Sequence, residues 1–173
     1  MLHVAVVLGV LVLILAAILV ARSLPWASHA RDARTAIDRF DAMLAQYRER
    51  QGHLPGDANR DGEIDAIEAS YVAHDLARAG LARAGATQIS IEVAGRTVLV
   101  RLIARGASAV TDAPRGRNVI ELWGLPCRVA RELEASTDDG NFSKGSLRAS
   151  VAACTAGGEN DPVPIVAVPA GTR

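Results

Sequence analysis

Twelve residues between Asp57 and Glu68 carry the oxygen ligands that calcium prefers in proteins. They match the calcium-loop pattern D-x-[DN]-x-[DN]-G-x5-E at every specified position. In this pattern the ligands come from alternating positions of a tight loop, Gly62 takes the sharp turn, and Ile64 points inward as an anchor. The predicted ligands are the side chains of Asp57, Asn59, Asp61, Asp65 and Glu68 and the backbone carbonyl of Glu63.

A simpler interpretation of this loop stays open. Asp65 would then only cap the helix that follows, because carboxylates are favourable near a helix N-terminus. Four clustered carboxylates would repel one another without a cation, which favours the calcium site. The loop follows Leu54-Pro55-Gly56 rather than a helix. We therefore expect a structural clip, not a sensor that opens and closes.

The two cysteines, Cys127 and Cys154, are the other residues with distinctive chemistry. They would form one disulfide if this part of the chain is exported, and otherwise they are two buried thiols. Cys127 at a helix start is also a conceivable nucleophile. The pair Asp138 and Asp139 is either a second cation site or a solvated turn. The chain has no phosphate-binding loop after a strand and no nucleophile elbow, so we do not expect an enzyme.

Composition narrows the possible partners. The chain has 173 residues, enough for one domain with a core beyond an apolar N-terminal segment. Lys plus Arg equals Asp plus Glu at 19 each, and only 3% of residues are Phe, Trp or Tyr. There is thus no excess of basic residues to hold phosphates and there are few rings to stack on bases, so nucleic-acid binding is not expected.

The stretch Leu2–Val20 has 19 residues and no charge, and it predicts a membrane segment within residues 1–22. A cleaved signal peptide, a simple anchor and a retained apolar stem all remain open. Met1 is followed directly by apolar residues, whereas a signal peptide begins with basic ones. Arg22, Arg31 and Arg34 follow the segment and, by the positive-inside rule, argue against export unless a basic leader precedes Met1.

Beyond the membrane segment, residues 23–52 are expected to continue the helix with a single apolar face. Pro25 should kink or break it near Ala21, and Gly52 should end it. Residues 53–173 then form one domain. A second helix ends at Gly80, and the sequence next predicts a hairpin at 89–104, a loop at 106–117, strands at 118–122, 147–153 and 163–168, and a helix after Pro126. Pro162 and Pro164 are expected to place the last strand at a sheet edge. This order is typical of an α+β fold.

Three features of the chain resemble the pilin-like proteins of type IV pili and type II secretion, particularly minor pilins and pseudopilins. They are the apolar helix that continues into an amphipathic one, the phrase YRERQGHLPGD at 47–57, and the stretch Asn118–Ala149 with its LP and DDG phrases. The resemblance implies a long helix packed on a small antiparallel sheet. It also implies a single-pass inner-membrane protein with its domain in the periplasm, which joins a pilus or pseudopilus by contacts with other subunits.

The membrane helix departs from that family in one respect. The family's Gly-Phe processing site and the glutamate after it are absent, and His3 aligns with the glutamate if Met1 is an internal start. Small residues in the segment would still permit close helix contacts in a filament. The expected membrane and assembly positions are Leu2, His3, Gly9, Ala16 and Ala17. The alternative function is a membrane-anchored, calcium-dependent binding or adaptor module in the periplasm.

Overall fold

The computed structural model describes residues 2–110, 112–149 and 162–170. Side chains of the first helix are described from Trp26 onward, together with those of Val10 and Val12. The helices are α1 (Leu2–Gln51), α2 (Val72–Arg78) and α3 (Cys127–Thr137), and short 3₁₀ turns lie at Glu68–Ser70 and Arg105–Ala107. The strands are β1 (Ile89–Val93), β2 (Arg96–Ala104), β3 (Asn118–Pro126), β4 (Arg148–Ala149) and β5 (Pro162–Pro169).

The five strands form one antiparallel sheet in the order β1-β2-β3-β5-β4. The predicted α+β class and the antiparallel sheet are confirmed. The predicted hairpin is also present, and Ala94 and Gly95, with φ of +52° and +72°, make its turn. Positive φ at both turn residues matches the twist of the two strands, which fixes their register.

The expected edge position of the last strand is wrong, because β5 lies between β3 and β4. Within the described residues, β4 pairs with Val166 and Ala167 of β5. Pro162 and Pro164 lie in the part of β5 that pairs only with β3 in the described structure. A proline lacks only its backbone N–H. It therefore prevents pairing on the side of the strand to which that N–H would point, and not on the other side.

Helix α1 runs without interruption through Pro25, so a break near Ala21 is wrong, while a kink there stays a prediction. Proline removes one backbone hydrogen bond, and the helical turns on both sides are long enough to continue past that loss. The helix ends where expected: Gly52 adopts a φ of +79° and donates its N–H to the Arg48 carbonyl at 2.8 Å. Within the part of the chain that the structure describes, no helix meets the length and hydropathy that a bilayer crossing requires.

The second half of α1 packs on the inner face of the sheet. Every third or fourth residue of this half is buried, namely Ala30, Ala33, Ile37, Phe40, Leu44 and Tyr47. Their partners on the sheet include Val98, Val100, Leu122 and Val166, which belong to the same apolar core. The amphipathic face expected from the sequence is therefore the face that holds the domain together.

Helix α3 lies beside α1 on the same face and runs in the same direction. The guanidinium carbon of Arg128, at the start of α3, lies 5.2 Å from the centre of the Trp26 ring. At the other end of α3, Arg34 donates from Nη1 to Thr137 Oγ1 at 3.4 Å. Residue numbers in both helices increase from the first contact to the second, so the two helices are parallel. The N-terminus of α3 therefore points toward the N-terminal half of α1.

The outer face of the sheet is covered by the loop that follows β2. Val110 and Ala113 of this loop pack on Ile103, Val119 and Ala167. Glu121 is fully buried beneath the loop. Its carboxylate accepts hydrogen bonds from Ser108 Oγ at 2.8 Å, from the Ala109 N–H at 3.0 Å and from Trp123 Nε1 at 3.0 Å. A buried glutamate with these donors fixes the loop to the sheet.

Candidate metal centre

The loop begins at Asp57, whose side chain is only 3% exposed. Its Oδ2 accepts the N–H of Gly62 at 3.1 Å, which closes the loop across its first six residues. Gly62 adopts a φ of +82°, the conformation that the sharp turn requires. The other carboxylate oxygen of Asp57, Oδ1, is buried and has no hydrogen-bond partner among the described residues.

The middle of the loop consists of two successive side-chain turns. Asn59 Oδ1 accepts the N–H of Asp61 at 2.9 Å, and Asp61 Oδ1 accepts the N–H of Glu63 at 2.7 Å. The Asn59 side-chain amide also donates to Asp61 Oδ2 at 2.9 Å. Asn59 and Asp61 therefore each fold the backbone that follows them into a turn, and both side chains are exposed.

The end of the loop is closed by Asp65 and Glu68. Asp65 Oδ1 accepts the N–H groups of Ile67 at 2.7 Å and Glu68 at 2.8 Å. Glu68 is buried and bridges the two ends of the loop, since Oε1 accepts the Ala58 N–H at 3.1 Å and Oε2 accepts the Asp65 N–H at 3.1 Å. A 3₁₀ turn begins here, and the expected second helix starts only at Val72.

Ile64 joins the loop to the sheet, because its side chain is fully buried in the core. Its carbonyl accepts the N–H of Ala104 at 2.5 Å, at the end of β2. Its own N–H donates to Asn118 Oδ1 at 2.9 Å, and the Asn118 side-chain amide donates to the Gly62 carbonyl at 2.8 Å. Asn118 therefore holds the turn of the loop from the first residue of β3.

The approach to the loop depends on Gly56. A Cβ at this position would lie 2.6 Å from the Glu68 carbonyl oxygen, and the φ of Gly56 is +86°. Its N–H donates to Asp75 Oδ2 at 2.8 Å, which connects the loop to α2. The loop is thus held by α2 on one side and by the sheet on the other.

The residues of this loop fit a calcium ion in chemical type. They supply carboxylate, amide and carbonyl oxygens, and Asp57 Oδ1 is a buried anionic oxygen without a donor. In the described residues, however, no three Asp, Glu, His or Cys side chains lie close enough together to hold a metal. Asp61, Asp65 and Glu68 instead accept backbone N–H groups. Ion binding would require these side chains to exchange such hydrogen bonds for the cation.

The second acidic turn follows α3. Asp138 Oδ2 accepts the N–H of Ser146, and Asp139 Oδ1 accepts the N–H of Asn141 at 3.0 Å. The hydrogen bonds from Ser146 hold the pKa of Asp138 below its usual range. Both side chains therefore organise the turn, and no group of three metal-binding side chains lies in this described stretch.

Glu134, next to this turn, was not singled out by the sequence. It is 1% exposed, and neither carboxylate oxygen has a hydrogen-bond partner in the described structure. Burial raises its pKa. The N–H groups of Asn141 and Gly140 lie close enough to oppose that rise, and the charges of Asp139 and Asp138 add to it. Glu134 lies in the polar C-terminal part of an amphipathic helix. The spacing of residues in the sequence could not show that this glutamate is buried.

Glu134 should make stability fall as pH rises. Between the ordinary glutamate pKa of about 4.3 and the higher folded value, the folded state binds more protons than the unfolded state. The free energy of unfolding therefore decreases across that interval, and Glu134→Gln should remove the decrease. Denaturant unfolding from pH 4 to pH 8 measures it, with Glu132→Gln on the same helix as the control. Identical pH profiles for wild type and Glu134→Gln would contradict the assignment.

The remaining predicted site residues lie partly outside the described set. Cys127 is buried at the start of α3 and is not a free thiol. Cys154 lies outside the described residues, so the pairing of the two cysteines stays a prediction. The assembly positions Leu2, His3, Gly9, Ala16 and Ala17 belong to the α1 backbone, but their side chains are not among those described.

The fold and site define an α+β domain with a long helix on an antiparallel sheet and a pinned acidic loop. Comparison with known proteins adds no relative: no family model, no curated protein and no solved structure matches this chain.

Proposed function

We propose that this chain is a structural subunit, a minor pilin or pseudopilin, of a type IV pilus or type II secretion filament. It is anchored in the inner membrane by Leu2–Val20, and its domain lies in the periplasm. The observation that supports this proposal is the length of α1 relative to the domain that packs on it. The helix has 50 residues, which corresponds to about 75 Å.

A domain of this size cannot cover such a helix. About 120 residues fold to a radius of gyration near 14 Å, and among the described side chains of α1 the first buried one is Ala30. The apolar first half is thus left for another environment, and its described side chains, Val10 and Val12, are 51% and 63% exposed. Lipid before assembly, and the helices of other subunits after assembly, would both provide an apolar environment for this half of the helix.

The calcium loop has a structural role in this proposal. It lies between the end of α1 and the ends of β2 and β3, and Ile64 and Asn118 already join it to the sheet. A bound ion would neutralise the buried Asp57 carboxylate and hold the loop closed. The ion would be held by Asp57, Asn59, Asp61, Asp65, Glu68 and the carbonyl of Glu63. It would stabilise the domain without taking part in a reaction.

Cross-linking of the full chain in a bacterium with such a filament system tests the proposal. Gly9→Cys places a thiol in the apolar half of α1, and a benzophenone attached to this thiol should, on illumination, insert into C–H bonds of neighbouring subunits and give adducts that co-purify with sheared filaments. Arg83→Cys, an exposed position of the domain, is the control for non-specific adducts. If Gly9→Cys gives membrane-bound chains without adducts, the alternative of an anchored calcium-dependent binding module replaces the filament subunit.

A further inference from the structure

Asn118 is a buried polar residue that lies under the calcium loop without being one of its predicted ligands. Both atoms of its side-chain amide contact the loop: Oδ1 accepts the N–H of Ile64 at 2.9 Å, and Nδ2 donates to the Gly62 carbonyl at 2.8 Å. Its backbone belongs to the sheet, where Asn118 pairs with Ala104 and its carbonyl accepts the N–H of Ala170 at 3.1 Å. The sheet therefore fixes the position from which this amide holds the loop.

The two loop groups that Asn118 holds lie on either side of Glu63. A peptide unit is planar and trans, so its C=O and its N–H point in opposite directions. The Gly62 carbonyl shares its peptide unit with the Glu63 N–H, and the Ile64 N–H shares the next one with the Glu63 carbonyl. Since both held groups point toward Asn118, both backbone groups of Glu63 point away from it. Asn118 thus sets the direction of the Glu63 carbonyl, which is a predicted calcium ligand.

The contacts of Glu63 agree with this geometry. Its N–H donates to Asp61 Oδ1 at 2.7 Å, and this hydrogen bond holds the carboxylate of a second predicted ligand in the turn. The Glu63 carbonyl accepts no hydrogen bond from any described residue, so its oxygen is available to an ion. One side-chain amide on β3 therefore orients the backbone ligand of the loop and, through the Glu63 N–H, fixes Asp61 beside it.

We infer that Asn118 is a positioning residue that sets the affinity of the loop for calcium. The inference rests on the calcium site of the proposed function and adds the residue that tunes it. Groups that hold metal ligands in place typically contribute 10- to 100-fold to metal affinity, because the ion does not have to order the ligands itself. Asn118 is uncharged, so it acts through the orientation of Glu63 and not through attraction of the cation.

The test is a calorimetric calcium titration of the full chain in detergent, at a temperature where every variant is folded. Asn118→Ala should raise the dissociation constant roughly 10- to 100-fold. Val119→Ala is the matched control. Val119 is fully buried in the cluster on the outer face of the sheet, so its truncation also destabilises the domain, but away from the loop. It should keep the wild-type dissociation constant.

A second variant keeps the inference testable if Asn118→Ala does not fold. Asn118→Gln retains an uncharged amide, but the extra methylene group moves it out of reach of its two partners, so calcium binding should again be weaker. Hydrogen exchange in chelator shows the loop itself: the Ile64 amide should exchange faster in both Asn118 variants than in wild type and Val119→Ala.

The possible outcomes separate the inference from the proposed function. If wild type binds calcium and the folded Asn118 variants bind it equally well, the inference is overturned and the calcium site remains. Faster exchange of the Ile64 amide would not rescue it, because Asn118 would then stabilise only the fold. If wild type takes up no calcium, the calcium role and the inference are both rejected, whereas the proposed filament subunit is still judged by its cross-links.

Discussion

Calcium should raise the melting temperature of the full chain in detergent by roughly 10 °C when its concentration is about 100 times the dissociation constant. At that ratio an ion that binds only the folded state contributes about 2.7 kcal/mol. The physical reason is the buried Asp57 carboxylate, which has one oxygen without a partner in the described structure and three further carboxylates of predicted ligands, Asp61, Asp65 and Glu68, near it in sequence. A chelator should reverse the rise.

Asp57→Asn should abolish the response to calcium, because it removes the charge while an amide oxygen can still accept the Gly62 N–H. Asp61→Ala should abolish it as well. Glu63→Gln is the matched control, since the loop uses the backbone carbonyl of Glu63 and not its side chain. Calorimetric scans of the four proteins decide the matter. If wild type melts at the same temperature with calcium and with chelator, the loop is a polar turn closed by its own hydrogen bonds.

Replacement of Phe40 by alanine should cost about 3–5 kcal/mol of folding free energy. Phe40 is 1% exposed and lies at the centre of the α1 face that packs on the sheet. Removal of its ring leaves a cavity between helix and sheet that Ile37 and Leu44 cannot fill without a shift of the helix. The loss should appear as a lower denaturant midpoint with an unchanged slope.

The control for Phe40 is Gln46→Ala, an exposed position on the same helix. This change should alter the free energy of unfolding by less than about 0.5 kcal/mol, because it removes no buried contact. A loss below about 1 kcal/mol for Phe40→Ala would mean that α1 is not docked on the sheet as described.

The parts of the fold that follow from local sequence were predictable. The three- and four-residue spacing of Ile37, Phe40 and Leu44 indicated the buried face of α1, and the alternation at 89–104 indicated the hairpin. The position of β5 was not predictable, because proline content reports only where N–H groups are missing. The neighbours of β5 are set by its long-range pairing with β3. The spacing of apolar residues within one strand carries no information about that pairing.

The candidate site divides in the same way. Its oxygen-bearing residues follow from a fixed spacing, so the sequence identified them. Asn118, which holds the Ile64 N–H and the Gly62 carbonyl, lies more than fifty positions away and looked only like the start of a strand. Glu68 was expected to face an ion, whereas it accepts the N–H groups of Ala58 and Asp65. Which backbone N–H groups surround a carboxylate depends on the conformation of the folded loop. Backbone groups are the same at every residue, so the sequence does not indicate them.

The sheet order has a consequence for synthesis. Among the described strands β5 comes last along the chain, yet it pairs with β3 over most of its length and separates β3 from β4. While the ribosome is still making residues before Pro162, the inner edge of β3 has no strand beside it. Such unpaired edges promote aggregation of incomplete chains. The domain can therefore complete its sheet only after translation has passed Pro169, and until then that edge of β3 is open to pairing with another chain.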